Sequence, residues 1–144
     1  MLIIFTEQSP YKHRAKLLAI GWTLLIFILC FLPGNELPDI RIPFIDKWAH
    51  IILFGVFSFL WMCGNPTRKT IFLLIIFGLS VFVGWMVEYI QGHYVEGRTQ
   101  DNMDTLADSV GGLIGIVLFV VLYNIANKKL NGSQRSTLYF RHLF

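Results

Sequence analysis

Apolar positions fall into four long runs, each closed off by a polar or turn-forming stretch. The first extends from about Leu17 to Leu32 and is stopped by Pro33-Gly34. The second starts near Pro43, a favoured first-turn residue, and ends at about Met62. The third covers Thr70 to Gln91, and the fourth about Asn102 to Ala126. At 1.5 Å per residue the third run reaches roughly 33 Å, enough to cross a bilayer. The pattern predicts an all-α membrane protein, a bundle of four transmembrane helices. Lys12, Arg14 and Lys16 precede the first run, as in a signal peptide. No A-x-A-like cleavage site follows it and three more apolar segments do, so a retained first helix is expected.

Composition agrees with the pattern. Of 144 residues, 55% are hydrophobic, above the roughly 45–50% of a soluble domain, and the mean hydropathy is +0.60. No repeat, low-complexity tract or long linker divides the chain, so residues 1–144 are expected to form one bundle. Cys30 and Cys63 fall at opposite ends of their helices. Bridged cysteines need Cα atoms within about 7 Å, so no disulfide is expected, and neither has a metal-type spacing.

Charge predicts the orientation. With four crossings, the N-terminal tail, the turn around residues 63–69 and the C-terminal tail share one side. That side holds nine Lys/Arg and one acid, Glu7. The other holds Arg41, Lys47 and Arg98 against eight acids, among them Glu36 and Asp39 in the first loop and Glu96 in the last. The Lys/Arg bias places both termini in the cytoplasm, with the acids gathered on the outer face of the membrane. Nothing points to a nucleic-acid partner. Trp48, Trp85 and Tyr89 on the outer side, and Trp61 and Tyr123 on the inner, read as interfacial anchors. Gly111-x-x-x-Gly115 and Ser80-x-x-x-Gly84 read as close helix contacts. The last stretch, STLYFRHLF, reads equally as a short surface segment or a solvated tail.

The acids matter because charge in hydrocarbon is costly, on the order of 2.5–3.5 kcal/mol each near the bilayer centre. Asp46 and His50 are four residues apart, on one face at the start of the second helix, with Lys47 between them. Asp101, Asp104 and Asp108 share a face at the start of the fourth. For Asp46, Asp101 and Asp104 a structural role at a helix N-terminus is as good an account as a functional one; Asp101 is placed to be the N-cap. Glu88 is different. At the end of the third helix the dipole disfavours an anion, so it is expected either to be protonated or to have a partner: Arg98, Lys47 or His50. Gln91 shares its face, and Asp108 meets the same cost deeper in the fourth helix. His50 alone would be a packing residue. With Glu88, Asp104 and Asp108 it is a candidate acid–base site, or a divalent-metal site through imidazole and carboxylates. No tight motif such as H-E-x-x-H selects between them.

Asp46-Lys47-x-x-His50, Glu88-x-x-Gln91 and Arg98-x-x-Asp101-x-x-Asp104, followed by a glycine-bearing helix, resemble the VanZ-like family over roughly residues 44 to 116. One departure is Asp108, where the family more often has Asn. The resemblance implies a small, multispanning bacterial membrane protein. The family takes its name from a member linked to teicoplanin resistance. Some members carry a phosphotransbutyrylase label, but nothing here resembles a coenzyme A or phosphate site.

Three functions fit these residues. In the first, the cluster binds a polar head group, such as a lipid-linked cell-wall precursor or a glycopeptide. Lys47 and Arg98 would hold anionic groups, and the carboxylates would take hydroxyls or amines. In the second, a membrane enzyme uses the same carboxylates or His50 on such a head group, with or without a metal. In the third, the buried pairs only fix helix packing. Glu88→Gln is expected to abolish either of the first two functions without unfolding the protein.

Overall fold

The computed structural model describes residues 2–33 and 44–141, with side chains described as far as residue 132. Four helices follow a short 3-10 turn at Leu2–Phe5: α1 (Lys12–Cys30), α2 (Ile45–Gly64), α3 (Thr70–Tyr94) and α4 (Asn102–Arg141). Each is long and apolar enough to cross a membrane. Among the described residues there is no strand. Glu36, Asp39 and Arg41 of the first loop, and the side chains of STLYFRHLF, lie outside the described residues.

Helices α3 and α4 start where the apolar pattern places them, at Thr70 and Asn102; the other boundaries differ somewhat, for local reasons. Helix α1 begins at Lys12 rather than Leu17. Lysine and arginine are good helix formers, and Ala15 donates its N–H to the Tyr11 carbonyl at 2.9 Å. It ends at Cys30, where Phe31 N–H bonds back to Phe27 O, and Pro33 lies just beyond. Pro43 is outside the described residues. Phe44 has a left-handed φ of 58°, so α2 starts only at Ile45. Helix α3 continues past Gln91 to Tyr94, and the chain then turns through Gly97, whose φ of 72° suits glycine. Helix α4 runs on past Ala126 to Arg141. Polar residues end a membrane span there, but no proline ends the helix.

The chain's two ends of the bundle are unlike. At one end the N-terminal segment folds back: Phe5 packs on Phe59 and Phe119, and Tyr123 donates to Glu7 at 3.3 Å. At the other end α2, α3 and α4 bring their acidic turns together. Two apolar clusters lie along the bundle. One joins Met62, Cys63, Ile76, Ile116 and Phe119; the other joins Ile26, Cys30, Phe54, Phe57 and Val87. Leu17, Ile52, Leu74 and Val117 face outward, as side chains in contact with lipid do.

Glycine sets the helix spacing. A Cβ added at Gly111 would strike the Ile51 carbonyl, and one at Gly115 the Gly55 carbonyl, so α2 and α4 meet backbone to backbone. On α3, a Cβ at Gly84 would strike the Asp108 carboxylate, while Ser80 faces Gly112. Lipid is as apolar as the bundle interior, so close packing rather than burial favours these contacts. Trp48, Trp85 and Tyr89 are exposed at the acidic end. Trp61 is half-buried and donates to Thr23 Oγ1 at 3.3 Å. Both cysteines are buried and free.

Candidate functional site

The first turns of α2 and α4 and the eighty-eighth residue on α3 converge at the end away from the termini. His50 is at the centre, 4% exposed. Its Nδ1 lies 2.8 Å from Asp108 Oδ1. With Asp108 ionised, Nδ1–H donates and Nε2 carries the free lone pair. That second nitrogen is 3.9 Å from both Asp46 Oδ1 and Glu88 Oε1. One oxygen each from Asp46 and Asp104 and one His50 nitrogen lie within 4.8 Å of one another.

Lys47 is already committed. Its Nζ is 2.7 Å from Asp101 Oδ2 and 2.9 Å from Asp104 Oδ1. It therefore ties α2 to the first turn of α4, with one N–H left over. The ammonium holds the Asp101 carboxyl below the ordinary aspartate range, helped by the Met103 N–H. That N–H donates to Asp101 Oδ1 at 2.8 Å, so Asp101 is the N-cap of α4. Arg98 Nη1 is 3.9 Å from Asp46 Oδ1, and its Nε has no hydrogen-bond partner among the described residues.

Glu88 finds a partner that sequence spacing does not reveal. Oε2 accepts the backbone N–H of Asp101 at 2.9 Å. The carboxylate thus faces the positive end of the α4 dipole rather than depending on Lys47 or Arg98. Because α3 continues to Tyr94, Glu88 is also deeper than the last turn. Its other oxygen, Oε1, is buried without a partner among the described residues, as is Asp108 Oδ2. Two buried acceptors are left wanting donors beside one imidazole.

Gln91 shares a helix face with Glu88 but serves the bundle differently. Its Nε2 donates to the Cys30 carbonyl at 2.6 Å, satisfying the open C-terminus of α1. Two other polar groups were hidden in the apolar runs. Ser80 Oγ donates to the Asp108 carbonyl at 3.4 Å. Ser58 is fully buried with an unpartnered Oγ, two turns below His50 on α2. Its only sequence signal is a hydroxyl in an otherwise apolar stretch. The metal set expected from sequence, His50 with Glu88, Asp104 and Asp108, is also rearranged. Asp46 joins His50 and Asp104 in the converging group, while Asp108 holds the far side of the imidazole.

Four apolar helices enclosing a buried acid–imidazole cluster at one end define a multi-pass membrane protein with a polar centre. The family described as VanZ/LLP1 matches residues 1–123, and the chain belongs to this VanZ-like family. The match takes in α1 and the N-terminal segment as well as the motif-bearing helices. No curated protein and no solved structure gives a significant match.

Proposed function

We propose that the cluster binds the hydroxyl- or amine-bearing head group of a cell-envelope amphiphile at the outer side of the inner membrane. A lipid-linked cell-wall precursor or a teicoplanin-type glycopeptide has that chemistry. The observation that carries the reading is the pair of buried acceptors, Glu88 Oε1 and Asp108 Oδ2, that lack donors among the described residues. A buried carboxylate oxygen without a donor forfeits about 1–3 kcal/mol or more, and a ligand's O–H or N–H groups would supply the missing bonds. The Lys/Arg bias supports the outer-side placement, and family membership makes resistance to teicoplanin the first phenotype to examine.

The test is binding of teicoplanin, and in parallel of a lipid-linked disaccharide-peptide precursor, to the full chain in detergent. Glu88→Gln keeps an oxygen for the Asp101 N–H and removes the charge. It is expected to weaken binding at least tenfold, about 1.4 kcal/mol, with unchanged elution and helicity. Wild-type binding by that variant would remove Glu88 from the site.

One observation favours a second reading. Asp108 fixes His50 so that Nε2 faces the cluster, which is the arrangement of a general base oriented by a carboxylate. Release of a head-group fragment from either probe, lost in His50→Gln, would select an enzyme over a binding protein.

A further inference from the structure

We propose that Asp46, His50 and Asp104 hold one divalent transition-metal ion, of the Zn²⁺ or Mn²⁺ type, with Asp108 fixing the imidazole from behind. This rests on the cluster being a ligand site, as proposed above, and adds the ion through which a head group is met.

The donor atoms are nearly in place. They lie within 4.8 Å of one another, whereas ligands about 2.1 Å from a tetrahedral ion are about 3.4 Å apart. Closing that gap requires movement chiefly of Asp46. Its side chain is 51% exposed and the basic groups nearest it, on His50 and Arg98, stand at 3.9 Å, so no close ion pair among the described residues holds it. His50 is preset in the opposite sense. The 2.8 Å contact from Nδ1 to Asp108 fixes both ring orientation and tautomer, as the carboxylate behind a metal-ligating histidine does. Lys47 takes Oδ1 of Asp104 and leaves the other oxygen of that carboxylate for the ion.

A separate observation points to a cation. Glu88 Oε1 is buried, unpartnered and 3.9 Å from His50 Nε2, so another carboxylate oxygen is aimed at the nitrogen that would bind the metal. Around the site stand Asp46, Glu88, Asp101, Asp104 and Asp108, against Lys47 and Arg98 as fixed cations. Among the described residues the negative charge is therefore in excess, which a divalent ion offsets. One imidazole with carboxylates suits Zn²⁺ or Mn²⁺ better than Ca²⁺ or Mg²⁺, which favour all-oxygen shells.

The experiment uses the full chain in detergent, stripped with a chelator, then titrated calorimetrically with Zn²⁺ and separately with Mn²⁺. Expected is about one equivalent per chain, bound at least about tenfold more weakly by Asp46→Asn and not at all by His50→Ala. Asp46→Asn guards against misfolding, because the side chain is half exposed and the amide is nearly isosteric with the carboxylate. Failure of the wild type to bind either ion, or equal binding by Asp46→Asn, overturns the site. Binding of teicoplanin and of the lipid-linked precursor by the same protein, stripped and then metal-loaded, separates the two readings. If either probe binds where no metal does, the ion is overturned and the head-group reading stands. If metal binds and the loaded protein takes neither probe, the ion is supported and the head-group reading falls.

Discussion

Glu88 shows how much a single residue's meaning depends on what faces it. Its place in an apolar run marks it as costly in the linear chain, but its partner is a backbone N–H at the start of another helix. Asp101 carries the complementary case, since its charge is visible at the boundary of α4 while its tie to Lys47 is not. The tie has a pH consequence. The folded carboxyl titrates below the ordinary value because Lys47 and Met103 N–H stabilise the anion. Its stabilisation is therefore complete above the ordinary aspartate value, about 3.9, and is lost as pH falls through the depressed folded value. Asp101→Asn keeps the cap and drops the charge. Thermal melts from neutral pH to about pH 3 are expected to show a wild-type advantage that closes on the acid side. A gap that is the same at every pH would deny the Lys47 tie.

At the scale of elements, small residues decide where helices can approach. Gly115 faces the Gly55 carbonyl and Gly111 the Ile51 carbonyl. A methyl group there meets backbone, which cannot move aside as a side chain can. Gly115→Ala is expected to cost about 1–3 kcal/mol, as overpacking does, read from the midpoint of unfolding in mixed detergent. Gly78→Ala, with nothing within 4 Å of the added carbon, is expected to be neutral or slightly stabilising in the same assay. Equal effects at the two positions would mean that the α2–α4 contact is looser than described. The spacing of Gly111 and Gly115 made a close approach legible in the chain. Which neighbour it admitted was not, because a small-residue stripe is complementary to any smooth helix face.

For the whole molecule, sidedness is the largest physical consequence of the charge distribution. Periplasm-active and cytoplasm-active reporters fused after residue 132 and inserted near Gly97 are expected to report the inside for the first and the outside for the second. The reverse result would place the cluster on the cytoplasmic side and end the head-group reading. The four crossings, their order and the gathering of acids at one end were set by sequence alone, because hydropathy and Lys/Arg bias act on each segment independently of its neighbours. Rotation of each helix about its axis was decided only by tertiary packing. Gln91 turns to the end of α1, Asp108 to His50, and Asp46 to Asp104. A face on a helix is a property of spacing, but the partner of that face depends on which neighbours fit closely against it, and that is a property of three-dimensional contact.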